Sequence, residues 1–319
     1  MKLDVKDRKL LYWLDQNSRA TNKELAKKIG LSEQAIGYKL KRLEENSVIR
    51  NYVTFVNTLA LGYSHYKVLL RLQNTKTDIE ERLLGLLVGH SHIRWVAPCS
   101  GRWDVNFSVM VKSDQEFIDI YRGIEGEFGD YIAEKNVSIL VKAPGFTKGH
   151  LIGQKSLVVL EYETRDVELD QVDLRILKSI SQAARKNVVE IARELKTTVD
   201  VVRYRLRKLE ERNVIAGYTM QLGLDKMGLL RYSVYFVLHK MPAAIEKRMV
   251  SFAQAHNNII FFVSLVGSFD ATIELEVDSY YVLEKTLKKF RELFAENIKN
   301  FEIVFYTDEL KYDFYPFPL

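Results

Sequence analysis

LDVKDRKLLYWLDQNSRATNKELAKKIGLSEQAIGYKLKRLEENSVIRNY, residues 3–52, returns as LDQVDLRILKSISQAARKNVVEIARELKTTVDVVRYRLRKLEERNVIAGY, residues 169–218. The offset is 166 (169 − 3) without a gap, and 16 of the 50 positions are identical. Gly62/Gly228, Gly101/Gly267 and Asp104/Asp270 keep the same offset further along the chain. A two-fold copy of this length is too long for a solenoid repeat and suits two subunits of an ancestral dimer joined into one chain.

Within the first copy, Leu10, Leu11 and Leu14 fall at helical spacing after Asp4 and Asp7, which predicts an amphipathic helix ending near Asn17-Ser18. Thr21-Asn22-Lys23-Glu24 is a capping box, in which the hydroxyl accepts from a backbone N–H and the carboxylate reaches back. It starts a short helix through Leu25–Ile29. Gly30 can take the positive φ that ends it, and Ser32 caps a longer helix with Ile36, Leu40 and Leu43 inward. Gln34, Tyr38, Lys39, Lys41 and Arg42 lie on its other faces. In the second copy Thr198 is the cap, Val202, Leu206 and Leu209 point inward, and Arg203, Tyr204, Arg205, Arg207 and Lys208 are left over. A short helix, a tight turn and a longer basic helix make a helix-turn-helix, whose later helix enters the major groove N-terminal end first. These ten polar residues, with the caps Ser32 and Thr198 near phosphate, are the expected DNA contacts. Val48-Ile49 and Val214-Ile215, leading to Tyr52 and Tyr218, predict a strand acting as wing or linker.

The charge distribution agrees. Residues 1–52 carry 12 Lys+Arg against 7 Asp+Glu and residues 169–218 carry 11 against 7, while the whole chain is only +5, so the remainder is acidic. Basic heads on a neutral-to-acidic body suit a polyanion such as double-stranded DNA. With 319 residues, 47% hydrophobic and 28% charged, the chain can build several cores. Its longest apolar runs, Ser233–Leu238 and Ile259–Val266, are far shorter than the ~20 residues of a bilayer helix, and MKLDVKDRK has no signal-peptide core. A cytoplasmic protein without membrane contact is expected. The single cysteine, Cys99, can form neither an intrachain disulfide nor a multi-cysteine metal site.

Each head is followed by a strand–helix–strand–strand–helix–strand pattern. In copy one this runs Tyr66–Leu72, Asp78–Val88, Ile93–Ala97, Asp104–Val111, Asp114–Phe128 and Val137–Val141; in copy two Ser233–Leu238, Pro242–Ala255, Ile259–Leu265, Asp270–Val277, Tyr280–Phe294 and Phe301–Tyr306. The order βαββαβ predicts ferredoxin-like sheets with helices on one face, an α+β protein. The expected division is 1–52 (first head), 53–142 (first ferredoxin-like unit), 143–168 (linker with a strand at Ser156–Glu163), 169–218 (second head) and 219–319 (second ferredoxin-like unit). The aromatic tail Tyr312–Leu319 is expected to pack on the sheet.

Residues 3–62 resemble the N-terminal domain of the Lrp/AsnC (leucine-responsive, feast/famine) transcriptional regulators, through Leu3-Asp4, Asp7, Leu11, Arg19, Glu24-Leu25-Ala26, Leu31-Ser32, Leu40, Leu43-Glu44, Val48-Ile49 and Gly62. The resemblance implies two copies of a winged helix-turn-helix followed by a RAM-type domain that oligomerises and responds to a small molecule such as an amino acid. It points to Gly101-Arg102-Trp103-Asp104 and Gly267-Ser268-Phe269-Asp270, with Gly101, Arg102, Asp104, Gly267 and Asp270 as effector-site candidates. The alternative role of that element is a hairpin needing glycine's φ and aspartate's local hydrogen bonds. The same fold serves sirohaem decarboxylases, which use histidines of the βαββαβ domains. Of His65, His90, His92, His150, His239 and His256, only His90 and His256 stand at the 166 offset, each just after a helix, and no catalytic triad, phosphate loop or metal spacing stands out. The sequence therefore reads as a regulator rather than an enzyme, without cofactor or metal; an architectural DNA-binding protein is a further alternative. Gly37, Lys39 and Lys41 are replaced by Arg203, Arg205 and Arg207 in the second head. Arginine can bind guanine bidentately where lysine is a point charge, so the heads should favour different half-sites.

Overall fold

The computed structural model describes residues 2–155, 159–160 and 167–318. Capping organises the first head. Asp4 and Asp7 close a capping box on α1 (Val5–Gln16), and Thr21 and Glu24 close another on α2 (Asn22–Ile29), which ends at Gly30 with φ 72°. The Ser32 hydroxyl accepts from the Ala35 amide to start α3 (Glu33–Glu45). Leu10, Leu11, Leu25, Ile36 and Leu43 fill the space between the three helices. Next come β1 (Ile49–Val56), β2 (Ser64–Leu72), α4 (Thr77–Gly89), β3 (Ile93–Ser100), β4 (Val105–Val111), α5 (Asp114–Phe128) and β5 (Ile132–Lys142). The connection holds β6 (Gly145–Phe146) and β7 (Val159–Leu160), which pair with each other. Of the strand expected at 156–163, only residues 159–160 are among those described.

The second copy repeats the plan with α6 (Gln171–Ser181), α7 (Val188–Leu195), α8 (Val199–Glu211), β8 (Ile215–Leu222), a short α9 (Leu224–Met227), β9 (Leu230–Leu238), α10 (Ala243–Ala255), β10 (Ile259–Gly267), β11 (Ala271–Val277), α11 (Tyr280–Leu293) and β12 (Ile298–Tyr306), then β13 (Lys311–Tyr312). Lys196 takes the left-handed conformation (φ 54°) at the position of Gly30.

The strand after each head is not a wing within that head. β1 and β8 pair with each other as an antiparallel ribbon in which Val53 faces Thr219, the same position in the two copies. Tyr52↔Met220 and Thr54↔Tyr218 flank that pair symmetrically. A single strand leaves its hydrogen-bonding groups open, and the partner copy supplies the missing edge.

The two βαββαβ units also merge. Strands run β11-β9-β12-β3-β4-β2-β5-β10, and β10 pairs back onto β11, closing a barrel of eight. The seams are symmetric: Tyr306↔Cys99 and Phe305↔Ser100 on one side, Leu140↔Leu265 and Ile139↔Val266 on the other, each pair displaced by 166. Closure removes the exposed edges that two separate sheets would leave. Phe107, Tyr121, Ile124 and Phe128 pack α4 and α5 on the outside of one half, and Phe236, Phe262, Phe290 and Phe294 pack α10 and α11 on the outside of the other. The C-terminal tail lies against both head and barrel, with Phe314 on Phe55 (ring centroids 4.1 Å apart) and Phe317 on Tyr63 (4.3 Å).

Candidate nucleic-acid interface

The long helices α3 and α8 bury one stripe each, Ile36, Leu40 and Leu43 or Val202, Leu206 and Leu209. On the outer face Tyr38 and Tyr204 stand exposed, with Gln34 and Lys41 beside the first and Arg203, Arg207 and Lys208 beside the second. Thr198 caps α8 as Ser32 caps α3, through the Val201 amide.

Three expected DNA contacts are engaged elsewhere. The Lys39 side chain is only 14% exposed, against 75% for Lys41, and its ammonium lies 2.8 Å from both Asp4 and Asp7. Arg42 also pairs with the buried Asp7, at 2.5 Å. In the second head Arg205 pairs with Asp170 at 2.7 Å and with Asp173 at 3.3 Å. These residues tie the long helix to the first helix of its own head. The Lys39 hydrogen bond holds the Asp4 carboxyl below its usual range, and Asp170 is held down by the Asp173 backbone N–H and then by Arg205. Their position on a non-core face could not tell DNA from a neighbouring aspartate, although retention of both aspartates in both copies was a readable signal.

A second feature escaped the sequence reading. Arg19 donates to the Ala184 carbonyl at 2.6 Å and lies over the Tyr218 ring (5.3 Å), while Arg185 donates to the Ser18 carbonyl at 2.6 Å and lies over Tyr52 (5.4 Å). The residues correspond under the 166 offset, so the clamp is reciprocal. Each tyrosine reaches the end of its own long helix, Tyr52 donating to Glu44 and Tyr218 to Glu210, both at 2.6 Å. The ribbon and this clamp fix the two long helices relative to one another.

The Gly-x-x-Asp elements are hairpin devices in this structure. Asp104 accepts from the Leu72 amide at 2.6 Å and Asp270 from the Leu238 amide at 2.7 Å, each securing the end of a neighbouring strand. At Gly267 φ is 148°, and a Cβ would lie 2.7 Å from the Val137 carbonyl across the seam; Gly101 is the equivalent with φ 121°. Arg102 is paired with Glu302 at 2.6 Å and Glu134 at 3.3 Å. The residues proposed for an effector thus have structural partners.

The barrel interior holds a charge cluster. Lys67 meets Glu274 at 2.8 Å, Arg231 meets Glu274 at 3.0 Å and Glu309 at 2.7 Å, and all four are nearly buried. Burial works to raise the Glu274 carboxyl, and Lys67 and Arg231 outweigh it, holding it at about 2. The cavity beside them measures about 30 Å³, room for a water molecule. Among the described residues no group of three or more His, Cys, Asp or Glu side chains is placed to hold a metal, and no helix is long and apolar enough to cross a membrane.

Two helix-turn-helix heads on one duplicated frame define a double-headed DNA-binding class, and the comparisons agree. The family described as winged helix-turn-helix DNA-binding matches residues 3–50 and 169–216. The HTH-type transcriptional regulator FL11 of Pyrococcus abyssi is 30% identical over 132 residues, 40% of this chain and 86% of that protein. The regulator LrpC of Bacillus subtilis is 27% identical over 123 residues, 39% of this chain and 84% of its own. The chain belongs to the Lrp/AsnC family of HTH-type transcriptional regulators, as a tandem of two copies. Among solved structures, the siroheme decarboxylase NirDL shares the fold, with TM-score 0.61 at 14% identity over 96% of this chain and 92% of that one.

Proposed function

We propose that the chain regulates transcription in the cytoplasm by binding double-stranded DNA as a fused pseudo-dimer whose heads read unequal half-sites. The observation carrying this reading is that a symmetric frame presents two different faces: Gln34, Tyr38 and Lys41 on α3, against Arg203, Tyr204, Arg207 and Lys208 on α8. Arg203 replaces Gly37, so only the second head offers a fork for a guanine or phosphate at that place. An ordinary homodimer reads a palindrome because its heads are identical. This one should read an asymmetric operator. A small-molecule effector belongs to the proposal by kinship alone.

Selection from random duplexes across a salt series tests it. An asymmetric motif bound more than about a thousand-fold over other sequences supports the reading. A clean palindrome overturns the inequality of the heads, and weak, sequence-blind binding lost at moderate salt favours an architectural protein.

The enzyme reading is favoured by the fold shared with siroheme decarboxylase along nearly the whole chain. The interior cavity beside the Lys67 cluster, about 30 Å³, is too small for an organic ligand of drug size, which needs about 300 Å³ or more, so such a ligand would have to sit elsewhere, as in the cleft of about 610 Å³ beside α11. Purified protein that bound sirohaem with a defined absorbance spectrum would revive that reading.

A further inference from the structure

The duplication provides an internal control for the outer surface. Helices α4 and α5 cover one side of the barrel and α10 and α11 the opposite side, at equivalent places. Their inward positions stay apolar in both copies: Leu83 and Met249, Tyr121 and Leu287, Ile124 and Phe290, Phe128 and Phe294. Their outward positions have changed sign. α4 and α5 carry eight carboxylates and two arginines, net −6, whereas α10 and α11 carry six Lys/Arg and three glutamates, net +3. Glu81 corresponds to Lys247, Asp119 to Lys285 and Glu125 to Arg291.

Local pairing removes part of the acidic field, since Lys135 meets Glu125 at 2.5 Å and Arg82 meets Glu127 at 2.8 Å. Asp78, Glu81 and Asp119 remain on the exposed side. Shape follows charge. On α5, Gly123 is open and stands where α11 carries Lys289, so the acidic helix is low where the basic one projects. Apolar side chains are exposed on both faces, Ile118 on α5 and Tyr281 and Leu293 on α11. The basic face also holds a cleft of about 610 Å³ lined by Lys288, Arg291 and Lys299 together with Glu284 and Glu292.

We infer that the acidic α4–α5 face of one molecule docks on the basic α10–α11 face of a second copy of this chain. A contact of either face with itself sets like charges opposite one another, whereas acidic against basic matches them. The contact is therefore heterologous, leaves one unused face at each end, and grows into a row unless its rotation closes a ring. It does not depend on DNA recognition, so either proposal can fail without the other.

The test is sedimentation velocity of the full chain over a concentration series, at about 0.05 M and about 1 M NaCl, where the screening length falls to about 3 Å. Two variants with exposed substitutions accompany it, Glu81→Gln/Asp119→Asn and Lys285→Gln/Lys289→Gln. Wild type is expected to grow with concentration at low salt and to return to a single species at high salt. Each variant alone should stay a single species, and their equimolar mixture should form a 1:1 pair that grows no further, because one intact face of each kind remains. Wild type that stays a single species at low salt overturns the inference, as do variants that associate like wild type. Loss of DNA affinity in the lysine variant, with wild type never self-associating, would assign the basic face to DNA and overturn it as well.

Discussion

Replacing Lys67 with methionine tests the charge cluster inside the barrel. The side chain length is nearly kept, but Glu274 loses the ammonium 2.8 Å away and retains only Arg231 at 3.0 Å. In wild type two cations, Lys67 and Arg231, balance two carboxylates, Glu274 and Glu309; in Lys67→Met one buried negative charge is left over. Removing one partner of a buried pair costs about 3–5 kcal/mol, and because Arg231 remains we expect about 3 kcal/mol at neutral pH. The Glu274 carboxyl is depressed in the folded state, so its stabilisation is present above about pH 4.5 and is lost as pH falls toward 2. The assay is urea unfolding from pH 7 to pH 3, comparing wild type, Lys67→Met, Glu274→Gln and Lys67→Met/Glu274→Gln. The gap between wild type and the single variant should narrow below about pH 4.5, where the left-over carboxylate can take a proton. The double variant, neutral again, should recover most of the loss. A pH-independent gap, or a double variant showing the sum of two single losses, would refute the reasoning.

Arg207→Ala should weaken DNA binding about equally on all sequences and lower the salt slope by about 1, whereas Arg203→Ala should relax preference at one operator position; an unchanged slope and motif remove both from the interface. Arg205→Ala should chiefly destabilise the second head, since it frees Asp170 and Asp173, and lower DNA affinity only as far as folding is lost. The double change Arg19→Ala/Arg185→Ala should leave both half-site preferences intact and broaden the tolerated spacing between them, read by gel shift on operators with inserted base pairs; an unchanged spacing optimum shows that the β1–β8 ribbon suffices. The Lys155 ammonium, which donates to the Ala253, His256 and Ile259 carbonyls at the end of α10, is lowered to about 7 by burial. The unfolded chain holds that proton more tightly, so wild type should gain stability relative to Lys155→Met as pH rises from about 7 to about 10. A flat difference across that window contradicts it.

Much of the architecture was legible because it is local. Caps at Thr21, Ser32 and Thr198, the stripes Ile36/Leu40/Leu43 and Val202/Leu206/Leu209, and both βαββαβ patterns can be read from spacing, and the structure places them so. Barrel closure was not legible, because the polar positions that alternate along the strands imitate a solvent-facing side. Lys67, Asn106, Ser108 and Glu274 look like the wet face of a sheet, and only the second sheet converts that face into an interior. The shared ribbon was hidden for a similar reason: Ile49–Val56 has the pattern of a strand, but its partner lies 166 residues away. At the recognition helices, the exposed residues of α3 and α8 were placed correctly as non-core, while Lys39, Arg42 and Arg205 were mistaken for free charges because their aspartates lie on another helix.

The charge cluster also bears on how the chain can evolve. Glu274, which neutralises Lys67 across the barrel, has Ser108 as its equivalent in the first copy, and the equivalent of Lys67 is Ser233. A symmetric dimer made from two first copies would enclose two lysines, each facing a serine where its carboxylate had been. An unpaired buried charge costs several kcal/mol, comparable to the whole margin by which many domains stay folded. Once these substitutions accumulated, splitting the gene back into one self-sufficient half ceased to be an open path, and the same mismatch disfavours exchange of subunits with single-copy relatives. Cut between its copies, the chain would leave each half with two open barrel seams, an unpaired ribbon strand and one side of the charge cluster without its partner.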